Sequence, residues 1–282
     1  MKNVTIGIIG GTGGMGKLFE KVFLDAGHTV LIAGRSTELT YIDLAKQSDV
    51  IIISTPLSSV EEICIEIGPH IDEDKALMDF CSLKEDVVKY MVENTKAEVV
   101  GTHPMFGPFT HSLEGQNIIL CPGRGDKWLR WIEKEFKNEK AVVSTMDPVD
   151  HDRTMAVAQG LTHLLTICMG RTLQKLGMSP SDAAPYSTPI FKLKNNLIGR
   201  LFAQDPYLYS TLVGDNKHVS DVLGLFLESL EEGKDAMLSN DINKSIDFLG
   251  DIKSFLGNFC NQGLEESNKF MKSVVHSSVA SS

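Results

Sequence analysis

Residues 4–16, VTIGIIGGTGGMG, pass from a β-branched run into a loop with five glycines in seven positions. A helical pattern follows at once, with Leu18, Phe19 and Val22 on one face. The spacing Gly11-x-Gly13-x-x-Gly16 is the dinucleotide fingerprint. On that reading Gly11 permits the tight turn, Gly13 lets the backbone approach a pyrophosphate, and Gly16 lets helix and strand pack closely. The helix N-terminus then faces a phosphate. The plainer alternative is a glycine-rich turn, but the position at a first strand, before a helix and a second strand, favours a cofactor site.

Outward from that loop the pattern repeats. VTIGII, HTVLIA, DVIIIST, KALMDF, EVVGTH, NIILC and KAVVST are short apolar runs, with helical stretches between most of them. They predict an α/β fold, an N-terminal Rossmann-type, doubly wound and mainly parallel sheet. After Pro148 strand-like runs vanish and apolar residues recur at helical spacing, so an all-helical C-terminal domain is expected. The expected division is a dinucleotide-binding domain over 1–147 and a helical domain over 148–282.

The second strand bears on the cofactor. It ends in Ala33-Gly34-Arg35-Ser36, without the Asp or Glu that usually accepts hydrogen bonds from the NAD ribose. Arg35 can pair with a 2′-phosphate and Ser36 can donate to it, so NADP is the preferred expectation, with Glu38 close enough to keep NAD open. Thr12 and Met15 in the glycine loop and Thr55-Pro56 after the third strand complete the expected cofactor-binding set.

Composition limits the other classes. The 282 residues carry a net charge of -10 with no Lys/Arg cluster, which argues against a nucleic-acid partner. No run approaches the roughly 20 apolar residues of a membrane span, and the glycine-rich start reads as a first strand rather than a signal peptide. Five cysteines without CxxC spacing suggest neither zinc nor disulfides, and fit a cytoplasmic protein with no metal. The tail SVVHSSVASS is expected to fray.

In an open parallel sheet, reacting groups gather beyond the carboxyl ends of the strands. Three such ends carry suitable residues: Ser54-Thr55-Pro56, Cys81-Ser82-Leu83-Lys84 and His103-Pro104. Ser82 alone could be only an N-cap. Together with GGTGGMGKLF, DFCSLK, THPMFGP, HDRTMAVAQGLTH and GRLFAQDPYLY, the chain resembles the prephenate and arogenate dehydrogenases of tyrosine biosynthesis over nearly its whole length.

That resemblance implies oxidative decarboxylation of a cyclohexadienol, with hydride passing to a nicotinamide, in a homodimer formed through the helical half. It implies His103 as the group that accepts the ring-hydroxyl hydrogen and Ser82 as a second hydrogen-bonding partner of that hydroxyl. Lys84 supports substrate binding and geometry, Arg200 pairs with the ring carboxylate, and His163 lies near the substrate side chain. On the residues alone, Arg200 could instead pair with Asp205, and His163 could be a core histidine on an apolar helix. Pro104 is read as fixing the backbone after His103, and Gly107 as letting the turn approach the ligand.

His151 and Asp152 read as the cap and first-turn charge of the long helix, not as catalytic residues. Some relatives carry Glu after the HPxxG block, whereas Pro108 and Phe109 stand here, so no gating acid is assigned. The length leaves no expectation of an added regulatory or mutase domain. Two other functions compete. GGTGGMGK followed by GHTVLIAGR also resembles the opening of the NADP-deazaflavin oxidoreductases, and a regulator could use the fold merely to sense NADP. Neither accounts for HPMFGP with GRLFAQDP.

Overall fold

The computed structural model describes residues 3–279, with side chains described to residue 272. The chain divides into two compact units after Met155.

All seven apolar runs form strands: β1 Thr5–Ile9, β2 Thr29–Ala33, β3 Val50–Ile53, β4 Ala76–Asp79, β5 Glu98–Pro104, β6 Asn117–Arg124 and β7 Val142–Thr145. Helices α1 Gly14–Asp25, α2 Tyr41–Gln47, α3 Val60–Ile67, α4 Glu85–Asn94, α5 Lys127–Asn138 and α6 Pro148–Met155 complete the first unit. The sheet order is β2-β1-β3-β4-β5-β6-β7. Strand order reverses between β1 and β3, which opens the crevice where doubly wound folds hold ligands.

Strands β1 to β5 run parallel, and β6 runs antiparallel to β5, with His103 opposite Ile119. A parallel return needs a crossover, usually a helix. No helix forms between β5 and β6. The chain therefore turns back at the carboxyl end of β5, and that turn carries the residues after His103.

Both faces of the sheet are covered, so its central strands are apolar throughout rather than alternating. Ile51, Ile53, Leu77 and Val99 pack with Ile63, Ile67, Val88 and Met91 of α3 and α4. Val50, Ile52, Met78 and Val100 pack with Phe19, Phe23, Trp131 and Phe136 of α1 and α5. Phe19 stacks on Phe80 at 4.0 Å, which ties α1 to the end of β4.

The expected boundary at 147/148 lies one helix before the break at Met155. Helix α6 packs on α4 and β6. Its Asp152 accepts the backbone N–H groups of Lys84 and Glu85, so α6 is built into the first unit.

The second unit is helical: a π-helical segment Ala156–Leu161, then α7 Thr162–Leu176, α8 Pro180–Ala183, α9 Pro189–Phe202, α10 Pro206–Gly214, α11 Val219–Met237, α12 Ile242–Leu256 and α13 Phe259–Val279. Helices α9 and α10 start on Thr188-Pro189 and Asp205-Pro206, each pairing a side-chain cap with proline in the first turn. A Cβ on Gly160 would lie 2.5 Å from Val219, so glycine lets the π-helical segment press on α11. The tail expected to fray begins inside α13, and residues 280–282 lie outside the described ones. Among the described residues no helix is long and apolar enough to cross a membrane.

Candidate active site

The glycine turn sits at the switch point. Gly10 has a φ of 83°, and a Cβ there would lie 2.5 Å from the Ser54 carbonyl oxygen. Gly10 is therefore the left-handed residue of the turn, and a Cβ on Gly11 would lie 2.5 Å from Ile32 Cγ2. Gly16 matches its expectation: a Cβ would come 2.5 Å from the Gly11 Cα. Gly13 caps α1 with no side-chain hydrogen bond, which suits a phosphate at that helix end.

A cavity of about 510 Å³ opens over this turn, lined by Gly10, Thr12, Gly13, Gly34, Arg35, Tyr41, Thr55 and Pro56. Thr55 Oγ1 is buried with no hydrogen-bond partner among the described residues, as a group meant for a ligand would be. Lining and size both fit a nucleotide. Arg35 and Ser36 are exposed, and Met15 is half-buried at the start of α1. Two carboxylates, Glu62 and Glu66 of α3, line the same cavity and carried no signal in the fingerprint.

The rim at β4 and β5 is polar and closed. Asp79 is buried and accepts the N–H groups of Cys81 at 2.7 Å and Thr102 at 3.2 Å, and it pairs with Lys84 Nζ. Burial pushes its carboxyl above the usual range, while Lys84 and these N–H donors pull the other way. The Lys84 side chain has no exposed surface. A Cβ on Gly101 would stand 3.0 Å from Lys84 Cδ, so glycine leaves room for the lysine to cross the sheet.

His103 is 2% exposed. Its Nδ1 lies 2.9 Å from His151 Nε2, and His151 Nδ1 lies 2.7 Å from Asp152 Oδ1. Asp152 also accepts Lys84 N–H at 2.8 Å and Glu85 N–H at 2.9 Å, capping α4 from another element. Burial first, then the neighbouring His151 and Lys84, hold His103 well below the ordinary histidine value. The imidazole is therefore neutral at neutral pH.

The expectation for His151 and Asp152 is corrected here. They do not serve only their own helix; their side chains meet His103 and the start of α4. Nothing local marks them, because a His-Asp pair at a helix start reads equally well as a cap. Ser82 also differs from its alternative reading. Helix α4 begins after Lys84 with no side-chain cap of its own, and Ser82 lies half-buried on the preceding loop. After His103, Pro108 approaches the cofactor turn: a Cβ on Gly14 would stand 2.8 Å from Pro108 Cβ. A Cβ on Gly107 would meet no protein atom within 4 Å.

In the second unit His163 is half-buried and packs edge-on against Tyr209, ring centroids 5.0 Å apart. Burial lowers its pKa. Arg200 is exposed in the last turn of α9, and Asp205, its possible ion partner, caps α10 through Tyr207 N–H. All five cysteines are free thiols. Burial pushes Cys64 and Cys121 up to about 12, which disqualifies them as nucleophiles.

A doubly wound sheet with a glycine turn at its switch point, and a buried imidazole on the strand that feeds the adjoining loop, defines the class of dinucleotide-binding units. Residues 29–145 match the family profile "Prephenate dehydrogenase, nucleotide-binding domain", and residues 147–250 match "Prephenate dehydrogenase, dimerization domain". The chain belongs to the prephenate dehydrogenase family.

A relative in Methanocaldococcus jannaschii, described as a probable arogenate/prephenate dehydrogenase, is 33% identical over 95% of this chain. This chain spans 64% of that relative's length. A Haemophilus influenzae T-protein is 28% identical over 94% of the chain, which covers 70% of it. Among solved structures, the prephenate dehydrogenase from A. aeolicus in complex with hydroxyphenyl propionate and NAD+ superposes with a TM-score of 0.74. At 22% identity, covering 90% of this chain and 97% of that one, it supports the fold.

Proposed function

We propose that the protein catalyses the NAD(P)-dependent oxidative decarboxylation of prephenate or arogenate, giving 4-hydroxyphenylpyruvate or tyrosine, with NADP preferred. The observation that carries this reading is His103, neutral by burial and held through Nδ1 at the end of β5. The nicotinamide, when bound, supplies the acceptor for the hydride. Gly13 and the N-terminus of α1 hold its pyrophosphate, Thr55 Oγ1 donates to it, and Arg35 with Ser36 pairs with a 2′-phosphate.

The chain's own chemistry is proton management. As hydride leaves the carbinol carbon the hydroxyl grows acidic, and His103 takes its proton. Cleavage of the ring-to-carboxylate bond then returns an electron pair to the ring, which becomes aromatic as carbon dioxide departs. Ser82 hydrogen-bonds the same hydroxyl, and Arg200 binds the ring carboxylate with a planar fork. His163 takes the side-chain end of the substrate. Lys84, fully buried, acts on geometry by holding Asp79 and the loop before α4.

The reading also includes a homodimer formed through the helical unit. Leu225, Leu230, Ile242, Ile246 and Phe255 are more than half exposed there, apolar side chains that a partner copy would cover. The function is tested by following reduced-nicotinamide absorbance with prephenate and arogenate, each against NAD and NADP. Reduction in at least one mixture is expected, faster with NADP. Silence in all four, with cofactor still bound, would contradict the reading and favour a deazaflavin reductase or a sensor.

A further inference from the structure

Two buried side chains, His151 and Asp152, stand in line behind His103. Asp152 accepts from two backbone N–H groups that hold it in place, and a carboxylate can only accept from His151 Nδ1. His151 therefore carries its proton on Nδ1 and, while neutral, presents the Nε2 lone pair. The 2.9 Å contact to His103 Nδ1 then requires a proton on that Nδ1. The lone pair of His103 falls on Nε2.

We propose that Asp152 and His151 form a relay that sets the tautomer of His103 and takes up the charge it gains. The two are positioning residues, and the proposal rests on the dehydrogenase reading. When the substrate O–H bond breaks, a bond forms from that proton to His103 Nε2. The Nδ1–H bond of His103 then breaks as its proton passes to His151 Nε2. One positive charge thus leaves His103 and settles on His151, beside the Asp152 carboxylate. Protons and charge balance without any further reactant.

Burial explains why the relay matters. An imidazolium at His103 would sit in a site that disfavours charge, with Lys84 close by. The nearby carboxylate Asp79 of β4 is already matched by Lys84, so it offers the imidazolium no free counter-charge. The thiols of Cys81 and Cys121, pushed up by burial, stay neutral. Asp152 is the acidic group in hydrogen-bonded line with His103, and His151 is the link to it.

The first test needs no turnover. Nitrogen-15 NMR of the histidine rings in the whole protein is expected to show His103 protonated at Nδ1 and bare at Nε2 near neutral pH. The opposite tautomer would overturn the relay whether or not the enzyme turns over prephenate or arogenate. Inactive wild type with both substrates would instead overturn the dehydrogenase reading and leave the tautomer measurement to decide the relay.

The second test uses two substitutions. His151→Phe keeps the ring shape and removes both nitrogens, and is expected to lower kcat by about a hundredfold, the scale of a general base. KM and NADP affinity are expected to stay within about twofold, and the acid limb of the pH–rate profile to move. His151→Gln, which can accept from His103 and donate to Asp152, is expected to recover at least about tenfold over the Phe variant. A Phe variant with normal kcat and an unmoved limb would overturn the proposal. So would equal losses in Phe and Gln, since a purely structural role would not distinguish them. If the Phe variant does not fold, the Gln variant's pH profile and the wild-type tautomer remain decisive.

Discussion

Asp152 reaches a backbone N–H 68 residues away in sequence, that of Lys84, and holds it at 2.8 Å. A side chain on α6 thus caps the start of α4, next to the lysine that crosses to Asp79. Replacing Asp152 with Ala removes the acceptor for two amides and for His151 together. The expected cost is about 2–4 kcal/mol of stability, from a lost cap and buried donors left unpaired. Urea denaturation of the variant measures it. A loss within error of zero would show that water or another group satisfies those amides.

His103 links pH to both rate and stability. Its pKa in the folded protein lies below the unfolded value of roughly 6.5. As pH falls past that value the unfolded chain takes up the proton first. The stability contributed by neutral His103 is therefore present above about pH 6.5 and lost as pH drops toward the folded pKa. His103→Asn removes this dependence. Its stability is expected to fall less than the wild type's between neutral and mildly acidic pH, while turnover drops by about a hundredfold or more and cofactor still binds. Parallel stability curves for the two proteins would place the titration elsewhere.

Arg35 shares its cavity with two carboxylates, Glu62 and Glu66, and the proposed NADP preference rests on it. With the guanidinium present, a 2′-phosphate finds a partner; without it, that phosphate faces two carboxylates. Arg35→Ala is expected to weaken NADP by at least about tenfold, on the order of 1.4 kcal/mol, and NAD by far less. Titration of intrinsic fluorescence with each cofactor measures both. Equal losses would remove Arg35 from the 2′-phosphate.

The sheet was legible because strand periodicity and the glycine spacing are local signals. All seven runs became strands, and His103 lies at the end of β5. Four things were harder to read. The antiparallel β6 follows from the absence of a helix after β5, which a string of apolar runs does not display. The left-handed turn residue is Gly10, outside the fingerprint's own spacing. His151 and Asp152 gain their meaning from residues on β5 and α4, some fifty to seventy positions earlier, and their local pattern satisfies an ordinary helix start equally well. Asp79 was hidden likewise, as the last residue of a strand that reads as purely apolar.

The most direct test of the central claim is a stoichiometry. In one sample of wild-type protein with prephenate or arogenate, reduced nicotinamide and released carbon dioxide are counted together. Oxidative decarboxylation predicts one of each per turnover, in step at all times. Hydride transfer without carbon dioxide would make the protein an ordinary alcohol dehydrogenase on this fold and would contradict the account.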